Sequence, residues 1–278
     1  CESLWAMQYS MNDGTNNGNC NWSYGLIVPN IPGVTDGGCD FYKPSQNLVN
    51  AFRTDNDGHP YLDTFNDNDY DATTDNADPR LFLTVGMPGF PYEFNTKYMM
   101  DKSSTWSRSN GLYGYYVTLK QNVDPDGGYL IKGGWWGSPM NHIVLRYADV
   151  LLMAAELGSS NAQEYFNQVR ERAFTEEDEE GNLTLSTYYR ELTATQTNIM
   201  NERRLEFAFE GQRYWDLLRQ GVDYAASQIA GNTSVENGGN PGTVSITASN
   251  ITSKQGLSQI PNNQITLSNG VLVQNEGW

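Results

Sequence analysis

Eight charged side chains, Glu202, Arg203, Arg204, Glu206, Glu210, Arg213, Asp216 and Arg219, stand close together in the second half of the sequence. Groups of opposite sign three and four residues apart meet on successive helical turns, so these can pair. Two carboxylates working as acid and base need surroundings that separate their pKa values. Here each carboxylate has an arginine neighbour that keeps it ionised. The chemistry expected is therefore a structural ion-pair network, in which arginine forks and carboxylates satisfy one another, and not a catalytic or anion-binding array.

A second acidic stretch, Thr54 to Pro79, holds eight Asp and no Lys or Arg. Asp67, Asp69, Asp71, Asp75 and Asp78 fall at positions 1, 3, 5, 9 and 12 of an EF-hand-like frame, a spacing of hard oxygens that could hold calcium. Against that, Ala72 stands where the turn wants Gly, and Asp78 where a longer bidentate Glu is usual. A solvated loop is the preferred reading, and no cofactor is required. The sequence has no nucleophile elbow, zinc-protease motif, phosphate loop or dinucleotide fingerprint. His59, beside Pro60, reads as solvated, and His142 as a surface or capping residue at a helix start.

Aromatic rings set among amides suit a neutral glycan, because a ring stacks on the C–H face of a sugar while amides bond its hydroxyls. The segment Asn19 to Gly25 offers Asn21, Trp22 and Tyr24, and Phe41 and Tyr42 follow Cys39. Trp135 and Trp136, between glycines, are a second candidate pair, of which strand alternation would bury one. The competing reading makes each ring part of a small core cluster, and Trp5, in an apolar strand, is expected to be core. A net charge of -16 repels phosphate backbones, so nucleic acid is excluded as a partner. No stretch has the ~18–20 apolar residues that span a bilayer.

The elements that must position these residues change character near residue 139. Residues 1–139 read as a loop-rich ligand-platform region of short strands and helical turns, rich in Gly, Asn, Asp and Pro. Residues 140–278 read as helical: Ile143, Tyr147, Val150, Leu151 and Ala154 predict a helix over 140–157 closed by Gly158. Further helices are predicted over 161–173 and 195–210, with a short one reaching Gly221; residues 225–278 read as loops. Glu176 to Glu180 is a solvated connection. Cys20 and Cys39 could form a loop-stapling disulfide in an oxidising compartment. Cys1 is followed at once by Leu4, Trp5, Met7 and Tyr9 instead of the polar tether of a lipid-bearing cysteine, so the start reads as an internal cut in a longer protein.

Two segments carry a resemblance. "IVLRYADVLLMAAELG", Ile143 to Gly158, and "NERRLEFAFEGQRYWDLLRQG", Asn201 to Gly221, resemble in order the motifs of the C-terminal half of the SusD/RagB family. "DPRL" at Asp78, "NQVRERA" at Asn167, the opening "ESLWAMQYS" and the Ile-Pro ending from Ile260 are similar to family segments as well. The resemblance implies a mainly α fold, a SusD-like helical C-terminal portion with long irregular loops and short strands, forming one continuous domain with 1–139. The family's N-terminal repeat half has no counterpart here. It also implies a non-catalytic surface protein of Bacteroidetes that captures an oligosaccharide or polysaccharide for a SusC-type TonB-dependent transporter. Such a protein sits at the outer membrane through a lipid anchor expected on a preceding segment. The platform role falls, by that resemblance, on Trp22, Tyr24 and Tyr42. A peptide-binding member of the same family, or a glycan-degrading enzyme, are the alternatives.

Overall fold

In the computed structural model the described residues are 2–31, 33–92, 95–102, 114–132, 136–230 and 246–278. Ser45 begins the first well-capped helix, Gln46–Ala51, by accepting a hydrogen bond from the Leu48 N–H. Thr195 does the same for Gln196–Glu206 by accepting from Asn198 N–H. Such side chains satisfy amide donors that a helix start leaves open. The Tyr147–Glu156 helix packs antiparallel-fashion on Ala162–Ala173 through a tight turn at Gly158, whose φ of 75° is a left-handed angle that glycine adopts without strain. Strands are short, and among the described residues every sheet is a two-stranded ribbon. The fold is mainly α.

Hydrophobic burial joins the two halves of the sequence. Val49, Phe52, Leu81 and Val85 from the first half share one core with Leu205 and Ala208 of the second. Leu151, Leu152, Phe166, Val169, Ile199 and Phe207 make a second core between helices. Complete burial of a Leu or Phe contributes roughly 1.5–3 kcal/mol, so these clusters fix how the helices sit.

Several expectations are corrected. The predicted 140–157 helix is a strand, His142–Arg146, followed by the helix Tyr147–Glu156. That strand pairs antiparallel with Ser3–Met7, and the β-branched Ile143 and Val144 suit an extended backbone better than a helix. His142 is accordingly a strand residue opposite Met7, not a helix cap. Trp5 is 64% exposed, along with Leu4, Met7, Ile143 and Val144, so the ribbon does not enter the core. Residues 225–278, read as loops, contain the helices Ala248–Thr252 and Asn262–Leu267 and most of Val222–Ile229. Those helices are too short to show a period in the sequence. Cys20 and Cys39 are not joined by a disulfide. The Glu176–Glu180 connection is exposed but partly extended: Glu176 and Glu177 lie in a strand, Thr175–Glu177, that pairs with Leu183–Leu185, and Asp178 to Glu180 begin the turn of that hairpin.

The charged array is a network that ties the helices to the loops. Glu202 and Glu206, one turn apart on Gln196–Glu206, receive Arg80 at 2.6 and 3.0 Å. Asp78 grips the other side of the Arg80 guanidinium at 2.7 and 2.9 Å. Glu206 also receives Arg146 at 2.6 Å and Arg172, while Arg170 reaches Glu202 at 3.3 Å. Arg203 pairs with Asp149 at 2.7 Å and Asp216 at 2.9 Å. Burial pushes the Glu206 carboxyl up, but Arg80, Arg146 and Arg172 outweigh it and hold the group well below the usual carboxylate range. A carboxylate so saturated cannot trade protons near neutrality.

Candidate functional site

The platform is built on a short helix, Tyr24–Ile27, and the strap that runs back across it. Cys39 N–H donates to Gly25 O, Asp40 N–H to Val28 O and Phe41 N–H to Leu26 O, at 3.1, 3.2 and 2.9 Å. Asp40 takes a left-handed φ of 54°, and its buried carboxylate meets Lys43 at 2.6 Å. This turn leaves Phe41 69% and Tyr42 50% exposed on a backbone that cannot shift freely. Beneath it Tyr24, Val28 and Trp136 form a core cluster, with the Trp136 indole N–H donating to Asp36 O at 3.2 Å.

A cavity of about 310 Å³ opens beside the strap, lined by Tyr9, Asn21, Phe41, Tyr42, Gln121 and His142 among others. Asn21 is fixed by a backbone bridge to Ser138, and its Oδ1 accepts from Ser23 N–H at 3.1 Å. Its Nδ2 has no partner among the described residues, which leaves a donor for the cavity. Gln121, at a φ of 62°, donates Nε2 to Phe209 O at 3.2 Å, and its Oε1 has no partner among the described residues. Among the described residues no Asp, Glu, Lys or Arg lines the space. Three aromatic rings, an amide donor and an amide acceptor around this concavity can hold a neutral polyhydroxylated ring by stacking and hydrogen bonds. Among the described lining residues there is no pair of carboxylates.

The structure thus brings Asn21 and Tyr42 together and separates the other named residues. Tyr24, 1% exposed, and Trp136 are core and cannot stack on a ligand. The alternative weighed for each ring, a small cluster, is what these two form. Trp22 is half-buried, its ring against Gly137, and does not line the cavity. Trp135 lies outside the described residues. Tyr9 and Gln121 were not recognised from the sequence. Tyr9 lies two residues beyond the opening strand, Ser3–Met7, but nothing local marks Gln121, which arrives from a distant turn.

The EF-hand-like frame does not converge. Asp69 accepts from Asn50 and Asp71 caps Thr73, while Asp75 takes Arg53 at 3.1 Å. Asp78 is committed to Arg80. Asp67 is exposed, and among the described residues no three His, Cys, Asp or Glu groups are gathered as metal ligands. Two of the five carboxylates neutralise arginines instead.

The family profile described as the SusD family matches residues 1–278. The chain belongs to the SusD family. A SusD-like protein, P25, of Formosa agariphila is 43% identical over 88 residues, 30% of this chain and 16% of that protein. In structure the chain is similar to surface glycan-binding protein A from Bacteroides fluxus, at a TM-score of 0.60 and 24% identity, covering 100% of this chain and 51% of that one. It is similar also to surface glycan-binding protein A from Bacteroides thetaiotaomicron in complex with laminarihexaose, at a TM-score of 0.51 and 23% identity, covering 99% and 52%. This SusD-family chain therefore spans about half the length of those structures, and the likeness establishes the fold.

Proposed function

We propose that this SusD-family protein is a non-catalytic surface binder that captures a neutral oligosaccharide or polysaccharide in the cavity beside Tyr42. Support comes foremost from the cavity itself: rings at Phe41 and Tyr42, amides at Asn21 and Gln121, and no Asp, Glu, Lys or Arg among the described residues that line it. The laminarihexaose bound to a structural neighbour is in keeping with a glucan as one ligand. A glycan-degrading role finds no support, because the carboxylates of the charged array are paired with arginines and none lines the cavity among the described residues. As the family resemblance implies, the captured glycan passes to a SusC-type TonB-dependent transporter at the outer membrane, where a lipid anchor holds the binder. No helix among the described residues is long and apolar enough to cross a membrane.

Calorimetric titration with laminarihexaose and a panel of neutral oligosaccharides tests the reading. Tyr42→Ala should weaken binding about tenfold, equivalent to ~1.4 kcal/mol, with no loss of melting temperature. Tyr24→Ala should instead lower the melting temperature, because its ring is in the core. Equal affinity of Tyr42→Ala and the parent, or reducing ends released in proportion to purified protein, would overturn it.

A further inference from the structure

A second cavity, about 430 Å³, lies on the other side of Tyr42, which lines both. Its wall is mixed: Phe209 and Tyr214 on one hand, and Arg204 and Arg213 on the other. These two arginines stand apart from the ion-pair network. Arg204 donates Nη2 to Asn47 O at 3.1 Å and to the Asn47 side chain, and stacks over Phe65 at 4.5 Å. Arg213 donates Nη1 to Met200 O at 3.2 Å. Neither has a carboxylate partner among the described residues. Asp216, close enough to act on Arg213, is already bonded to Arg203 at 2.9 Å and Arg219 at 3.1 Å.

Two cations are thus held toward one partly apolar space with donors to spare. Burial, and after it the charge of Arg213, lowers the Arg204 guanidinium to about 9, so at neutral pH it stays charged at a cost. An arginine fork matches a carboxylate or sulfate bidentately, and an oxyanion between the two would supply the missing counter-charge. With a net charge of -16 the molecule recruits no anions at long range, so an anion bound here is selected by contact with these two groups.

We propose that the cavity of Arg204 and Arg213 is an oxyanion site, taking the carboxylate or sulfate ester of an acidic sugar whose neutral neighbour lies across Tyr42. The identity of the carrier as a sugar rests on the glycan reading above; the oxyanion site does not. Titration of the whole chain with methyl glucuronide, its uncharged methyl ester and inorganic sulfate separates the cases. The acid should bind at least tenfold more tightly than the ester, and sulfate should compete with it. Arg213→Gln should abolish that preference while leaving laminarihexaose affinity and melting temperature near the parent's, since the variant relieves like-charge repulsion. Arg204→Gln should act in the same direction, but its contacts to Asn47 and Phe65 make Arg213→Gln the cleaner probe. Equal affinity for acid and ester, or a preference that survives in Arg213→Gln, overturns the proposal. A parent that prefers the acid yet ignores every neutral glycan would leave the oxyanion site standing and sink the glycan reading.

Discussion

Replacing Glu206 by Gln should be among the most destabilising isosteric changes in this chain. The carboxylate is buried and accepts from Arg80, Arg146 and Arg172. Glutamine keeps the shape but withdraws the negative charge, leaving three guanidiniums around a neutral amide. Removing one partner of a buried pair costs about 3–5 kcal/mol, since the remaining charge is stranded in low dielectric. Against a typical total of roughly 5–15 kcal/mol that is a large share. At ~2–4 °C per kcal/mol for larger domains, the melting temperature should fall by about 6–20 °C. Arg172→Gln is the control: its side chain is 44% exposed, so solvent already screens it and the loss should stay within about 1 kcal/mol. Calorimetry with urea titration reads both, and an unchanged m-value would show that the midpoint shift is stability and not a change in compactness. A Glu206→Gln melting temperature within about 2 °C of the parent, or an equal effect of Arg172→Gln, would refute the assignment of the array as a buried structural network.

The same carboxylates set an acid limit. Glu206 is held below its ordinary 4.5, and Glu2 and Glu156 are lowered too, because arginine neighbours outweigh burial at each. A carboxyl depressed in the folded state contributes stability that is whole above its unfolded pKa and is lost as pH falls toward the folded one. Melting temperature should therefore be level above about pH 5 and drop on acidification below 4.5, less steeply in Glu206→Gln; a profile flat to pH 3 would contradict it. On the surface, Leu4, Trp5, Met7, Ile143 and Val144 expose one apolar ribbon. It should bind a hydrophobic dye, with the signal cut in Trp5→Glu, whereas fluorescence unchanged by that substitution would place the dye elsewhere.

Much of the second half was legible because its information is local or carried by a long motif. The 161–173 helix shows its apolar stripe at Phe166 and Val169, and the spacing of Glu202, Glu206 and Arg203 foretold pairing on helical turns. The ion-pair character followed from charge alternation alone. What the spacing could not supply was the partners: Arg80 arrives from more than a hundred residues away in sequence, and Arg146 from a strand that the apolar period mistook for helix. Periodicity records which residues share a face, but strand pairing between Ser3–Met7 and His142–Arg146 is a long-range contact that overrides it. The site divided in the same way. Residue type drew attention to Asn21, Tyr24, Tyr42 and Trp136 alike, because a buried aromatic and a presented one have the same chemistry in a sequence. Only the tertiary structure chose between them. The left-handed turn at Asp40 and its bond to Lys43 lift Tyr42 into solvent, while packing on Val28 takes Tyr24 and Trp136 out of it. Exposure is decided by what the rest of the chain places on top of a residue, and that is not written beside it.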